Sequence, residues 1–481
     1  MARNRAFELR VALDPGDARP LQEVATQVNQ VLGDRWTVLR VAPDLPEMVA
    51  VGPAFAPVGT SGYARDAFAA ADALRSSGQF ALVEADVPVP WTPDPVEKAA
   101  EWTTCTSDSD DPGWARTTIR WQQALDSMDP AVRGGVGVSI GHPDSGYTLH
   151  PQIGADTFDL ARDRDVIDDD DDALDDLTPN PFWPLPNPGH GTSTASVIAG
   201  RPDPSGIAGV APAASVVPVR ATESVVQLFD SDVAAAVSHA RRKKCQVVSM
   251  SLGGKGFFGL RREIDRAVAA GMIVMAAAGN VVRFVTAPAS YDSCLAVAAT
   301  GPGDVPWPGS SRGAAVDVSM PGHCVWVAGY DGTNPTVGQS NGTSYSVAHL
   351  AGAAALWIAH HGHASLVARY GAAHVQGAFL ATLRRPRVCV VPEGWDRRWG
   401  IGRVDVAALL AAALPKAEQA EAARAAGASA APGETLAATL GLEPTAAKSL
   451  LPAGVDESEL VYRAMTDPLF AASLTAQVPS G

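Results

Sequence analysis

An α/β fold with a largely parallel sheet, preceded by a small α+β domain, is predicted by three features of this 481-residue sequence. Apolar strand-like runs alternate with helical stretches from about Trp121 to Leu414, the pattern of parallel strands joined by crossover helices. Residues 5–90 read strand, helix, two strands, helix, strand, the order of a split-βαβ domain. Between the two lies a stretch rich in Pro, Thr, Ser and Asp, the composition of an exposed linker. The expected boundaries are 1–90 for the small domain, 91–115 for the linker and 116–414 for the large domain. Residues 415–481 read as an Ala-rich linker followed by a small helical module or tail.

In the small domain, Phe7 to Leu13 alternates as a strand, and Pro20 to Leu32 carries helical apolar spacing. Trp36 to Val41 and Met48 to Val51 are strands around a Pro-rich turn. Asp66 to Arg75 is helical, and Phe80 to Val89 is a final strand. In the large domain the strand candidates are Val136 to Ile140, Ser215 to Arg220, Val247 to Leu252, Ile273 to Ala278 and Leu295 to Ala299. Asp232 to Arg242 and Leu260 to Ala270 are helices between them.

Composition narrows the function. Hydrophobic residues at 46% and charged residues at 19% describe a globular chain. The net charge of −15, with no long basic run, argues against nucleic acid or an anionic membrane as partner. No apolar run reaches the roughly 18–20 residues of a membrane span. The five cysteines lack C-x-x-C spacing and are odd in number, so small core residues or free thiols are expected rather than a disulfide framework or zinc site. Met1 to Arg10 is charged where a secretory signal would be apolar, and the cytosol is the expected compartment.

Three motifs carry chemistry. Pro143-Asp144-Ser145-Gly146 follows a strand, at the edge where α/β enzymes place their sites. Gly189-His190-Gly191-Thr192-Ser193 opens a helix, with glycines that permit close backbone approach. Asn341-Gly342-Thr343-Ser344 leads into a long apolar helix, placing the Ser344 hydroxyl near the positive end of the helix dipole. Together they supply a nucleophile, a general base and an orienting carboxylate. A fourth segment, Ala276-Ala277-Ala278-Gly279-Asn280, ends a strand with a side-chain amide able to donate to an oxyanion.

In this Asp, His, Ser order the chain resembles the subtilisin-like serine proteases. The likeness extends through Gly206-Ile-Ala-Gly-Val-Ala-Pro212, Val247-Val-Ser-Met-Ser-Leu-Gly-Gly254 and Trp399-Gly-Ile-Gly-Arg-Val404. It implies a three-layer catalytic domain in which Asp144 orients His190, His190 deprotonates Ser344, and Asn280 binds the oxyanion. It also implies that Ser251, Leu252 and Gly253 pair with a polypeptide substrate as an added strand. Ala277, Ala278 and Gly279 would form the facing wall of a roomy apolar pocket, with its floor near Thr286. Ala348 stands where the family usually has Pro, and Asn341 where many relatives have Ser.

No organic cofactor is implied. Calcium binding, frequent among relatives, draws notice to Asp163 to Asp176, but a plain Asp run lacks fixed ligand spacing and reads first as a solvated loop, so no metal ligand is assigned. By the same resemblance the amino-terminal domain is an inhibitory propeptide of a zymogen. Val83 to Val87 would be its last strand, and self-cleavage would fall between Val87 and Thr104. The rival reading is a partner-regulated or catalytically silent binding protein whose carboxy-terminal module docks a protein partner.

Overall fold

Alternation of apolar residues forms the first sheet. In a computed structural model of the chain, residues 5–88, 104–226, 228–280, 282, 284–425, 433–451 and 457–478 are described. β1 (Glu8–Asp14) is followed by a helix (Leu21–Leu32), β2 (Thr37–Arg40), β3 (Met48–Pro53), a second helix (Ser61–Ser76) and β4 (Leu82–Ala85). The antiparallel order is β2-β3-β1-β4. Because neighbouring side chains point to opposite faces, Val11, Leu13 and Ala50 pack on Val24, Val28 and Phe68 of the two helices. Ala12, Val49 and Val51 face the other way and join a core of the large domain.

The large domain contains β5 (Ser139–Asp144), β6 (Arg164–Asp165), β7 (Ser215–Arg220), β8 (Val247–Met250), β9 (Ile273–Ala277), β10 (Leu295–Thr300) and β11 (Val316–Pro321). It continues with β12 (Val325–Asp331), β13 (Asn334–Ser340), β14 (Cys389–Val390) and β15 (Arg403–Val404). Nine of these form one sheet in the order β14-β15-β11-β10-β9-β8-β5-β7-β6. Every pairing in it is parallel except that of β14 with β15. The central strands are buried on both faces, which explains their unbroken apolar runs. Val247, Ile273, Met275 and Val297 face the helices His190–Ala199 and Thr343–His361. Val248, Val274, Ala276 and Ala298 face the helices Asp230–Arg242 and Phe258–Ala269. This is the three-layer arrangement, and the small sheet lies over the second helix pair.

Two expectations change. β5 begins at Ser139, not Val136, because Gly134, Gly135 and Gly137 all take positive φ and leave Val136 46% exposed. The β12–β13 hairpin, turning through Gly332-Thr333, was not foreseen. A further correction concerns cysteine: Cys105 and Cys324 form a disulfide with Cα atoms 5.7 Å apart. Spacing along the chain cannot reveal a bond between residues 219 positions apart. Cys245, Cys294 and Cys389 are free.

The carboxy-terminal region is helical: Ala417–Ala425, then Glu434–Leu440, Pro444–Ser449, Glu457–Thr466 and Pro468–Thr475. Of the last four, three share a small core of Leu436, Ala437, Ala447, Leu460 and Val461, and Phe470 of the fourth packs against it. Among the described residues no helix is long and apolar enough to cross a membrane.

Candidate active site

Asp144 is the last residue of β5 and is wholly buried. Its Oδ1 accepts hydrogen bonds from His190 Nδ1 and from the Ser145 N–H, both at 2.7 Å. Oδ2 accepts from the Thr194 hydroxyl at 3.4 Å, and that hydroxyl also meets Nε2 of the buried His142 at 3.0 Å. Burial opposes charge on Asp144, but the adjacent imidazole and the Ser145 N–H hold its carboxyl below the ordinary value. Burial lowers His142, which favours its neutral form despite the nearby carboxylate.

Backbone contact brings this carboxylate to the imidazole. His190 opens its helix after Gly189, and Gly191 lies against the Asp144 turn so closely that a Cβ there would stand 2.1 Å from the Gly146 carbonyl oxygen. Ser145 Oγ accepts the Gly191 N–H at 3.0 Å and donates to Asp175 Oδ2 at 2.9 Å. The same Asp175 oxygen accepts the Gly189 N–H at 2.7 Å. Asp175 therefore ties the aspartate turn to the start of the histidine helix.

Ser344 is the second residue of Thr343–His361, so its N–H has no carbonyl one turn earlier within the helix. The helix packs beside His190–Ala199 in a shared core. Burial raises the neighbouring Tyr345 phenol, the charge of Asp144 adds to the rise, and the hydrogen bond with Ser340 opposes it. The Ser344 hydroxyl donates to the Ser251 carbonyl at 3.3 Å, and among the described residues no hydrogen bond joins it to His190. Apo sites commonly hold such bonds long or unmade.

Asn280 is oriented by Thr343. Its Oδ1 accepts the N–H and the hydroxyl of Thr343, both at 2.9 Å, leaving Nδ2 to face the cleft. A Cβ on Gly342 would stand 3.5 Å from Asn280 Nδ2 and 3.6 Å from the Ser344 nitrogen. Glycine at 342 keeps open the space that both donors border. An oxyanion placed there would be met by two N–H groups.

A cavity of about 160 Å³ adjoins Ser344. Ser251, Leu252 and Gly253 form one wall, Ala277 and Gly279 the other, and Thr286 lies between them. Ala278 does not face the cavity: its side chain is fully buried in the core behind the wall. Strand alternation accounts for the difference. The edge expected to pair with substrate is already partly paired, since the Gly253 N–H donates to the Val225 carbonyl at 2.9 Å.

Within the acidic run the carboxylates find protein partners. Asp165 and Asp168 pair with Arg220, Asp169 and Asp171 with Arg164, and Asp163 accepts the Ala173 N–H. Arginines and backbone N–H groups thus engage at least one oxygen of each of these carboxylates. His349 bonds the Tyr345 carbonyl through Nδ1 at 2.7 Å and is lowered to about 4 by burial. His142, Ser145, Asp175, Thr194 and Thr343 were missed by sequence reasoning. Ser145, Thr194 and Thr343 lie inside the quoted motifs or one turn beyond, but Asp175 is hidden in the acidic run.

The amino-terminal domain leans on the same layer. Glu84 Oε2 accepts the Phe258 N–H at 3.1 Å, at the start of one helix. Asp86 Oδ1 accepts the Asp230 N–H at 2.9 Å, at the start of the other. Two acids thus meet two positive helix ends. The expected cleavage window, between Val87 and Thr104, lies almost entirely outside the described residues.

A parallel sheet carrying a carboxylate–imidazole pair, with a serine at a helix start beside an amide donor, defines a serine-hydrolase-like class of protein. The chain belongs to the subtilase family, whose model matches residues 135–402. It is 37% identical to subtilisin E of Bacillus subtilis over 180 residues, which is 36% of this chain and 46% of that protein. Thermitase of Thermoactinomyces vulgaris is 36% identical over 184 residues, 38% of this chain and 65% of that one. The chain thus spans about half to two thirds of the length of these curated relatives. Among solved structures, fervidolysin from Fervidobacterium pennivorans, described as a keratinolytic enzyme related to subtilisin, aligns with a TM-score of 0.60 at 21% identity. That alignment covers 86% of this chain and 62% of that one, and it bears on fold.

Proposed function

We propose that this protein is a serine endopeptidase that cleaves polypeptides through an acyl-enzyme. The observation that carries the reading is the 2.7 Å bond from His190 Nδ1 to a buried, ionised Asp144, with Ser344 on the adjoining helix. His190 Nε2 takes the Ser344 proton as Oγ attacks the peptide carbonyl, forming a C–O bond and a tetrahedral oxyanion. Asn280 Nδ2 and the Ser344 N–H stabilise that oxyanion. The imidazolium returns its proton to the leaving amine as the C–N bond breaks. Water, deprotonated by His190, then hydrolyses the ester. No organic cofactor enters, and no calcium ligand is assigned.

Family membership supports the activity, and apolar walls at Leu252, Val225 and Val282 support a preference for an uncharged residue before the cut. The amino-terminal domain is read as an intramolecular inhibitor. The Cys105–Cys324 bond supports an oxidising compartment in place of the cytosol expected from the sequence.

Labelling with a fluorophosphonate, followed by cleavage profiling on a peptide library, tests the reading. Ser344→Ala should abolish labelling and lower turnover on the order of 10⁶, the scale seen in subtilisin, where nucleophile and base act as one unit. The pairing of Gly253 with Val225 favours a second reading, a resting or partner-regulated state. Label uptake by neither full-length nor amino-terminally trimmed protein would favour that alternative.

A further inference from the structure

We propose that the carboxy-terminal helical module is a docking surface whose partner is the chain's own amino-terminal domain. The helix Glu457–Thr466 lies against both the helix Ser61–Ser76 and β4. Glu459 is fully buried, and its two oxygens are taken by the amino-terminal domain: Arg75 donates at 2.5 Å and the Ala85 N–H at 3.1 Å. A carboxylate removed from water is strongly disfavoured unless it is paired in this way. Four residues on, Arg463 donates to both oxygens of Asp72, at 3.1 and 2.8 Å. Its guanidinium also lies 4.9 Å from the Phe68 ring centroid. Between them, Tyr462 is buried against Phe68 with centroids 5.8 Å apart and belongs to the amino-terminal domain's core.

These contacts are specific in kind. β4 is an edge strand, and Glu459 takes a backbone donor from that edge, where an added strand would otherwise pair. The bidentate Arg463–Asp72 pair fixes orientation as well as attraction. The helix also reaches the large domain, where the Ser458 hydroxyl donates to the Lys255 carbonyl, two residues beyond the wall Ser251–Gly253. The module thus contacts both domains. A cut in residues 89–103 leaves the amino-terminal domain held on two sides, by the helix pair beneath it and by this module above it. The consequence for activation rests on the inhibitor reading given above, but the docking itself does not.

The test uses the full chain carrying Ser344→Ala and a recognition sequence for a site-specific protease placed within residues 89–103. After that cut, dissociation of the amino-terminal fragment is followed by size-exclusion chromatography at successive times. Arg463→Asp should release the fragment at least tenfold faster, and adding Asp72→Arg should restore most of the retention. Recovery in the double variant cannot arise from a misfolded module. Release unchanged by Arg463→Asp overturns the proposal. The readout needs no catalysis, so a failure of fluorophosphonate labelling would count against the peptidase reading alone.

Discussion

At the scale of single residues, the site depends on side chains that hold other side chains in place. Thr343 holds the Asn280 amide through two hydrogen bonds to one oxygen. Thr343→Val removes one of them, along with the acceptor for the Gly279 N–H. Turnover should fall about tenfold, equivalent to ~1.4 kcal/mol, with KM little changed, because the lost order matters only when the oxyanion forms. Asp175 acts by position too. Asp175→Ala would strand two buried donors, the Ser145 hydroxyl and the Gly189 N–H, at a cost of about 1–3 kcal/mol each. The expected outcome is a melting temperature lowered by several degrees, read by calorimetry, together with a reduced kcat. The motifs made Asp144, His190, Ser344 and Asn280 legible, because each is a chemically apt residue in a constrained local pattern. Asp175 was not legible, since among neighbouring aspartates nothing local distinguishes the one that folds inward. Ala278 was misjudged for a geometric reason: it sits one position out of phase with the residues that face the cleft.

Among the elements, the strands read from unbroken apolar runs agree with the structure to within a few residues. β7 spans the expected Ser215 to Arg220, and β10 runs one residue past the expected end. Such segments are buried on both faces, so their composition alone marks them. Short or edge elements such as β6, β14 and β15 carry too few residues to show a period, and three positive-φ glycines displaced the start of β5. The two helices beneath the amino-terminal sheet show how acids acquire meaning from context. Glu84→Ala would remove an acceptor from the first turn of Phe258–Ala269, costing about 1 kcal/mol. Denaturant titration of the Ser344→Ala chain would measure it. Burial raises the Asp86 carboxyl, although Arg10 opposes the rise. A raised folded-state value means stability that is fully present below the ordinary carboxylate value, about 3.9, and lost as pH climbs through the raised one. Asp86→Asn keeps an acceptor for the Asp230 N–H and removes that dependence. The fall in melting temperature with rising pH across the mildly acidic range should then be shallower than in the parent chain, as seen by melting both at a series of pH values.

For the whole molecule, three bodies of different character each hold a core of their own. The large domain contributes the buried sheet, the small domain leans on its outer helices, and the last helices clasp the small domain. The domain order could be read from composition, but the embrace of the first segment by the last could not, because contacts between residues 384 positions apart leave no local trace. Thiol titration in denaturant without reductant should count three free cysteines of five, rising to five after reduction. Loss of the bond, as in Cys324→Ser, should lower stability by about 2–5 kcal/mol. The position of that bond has a consequence for maturation. Cys105 lies just past the span in which the chain would be trimmed, and Cys324 sits where β11 passes into β12. A new amino terminus made just upstream of Cys105 would therefore remain tethered to the large domain through this bond.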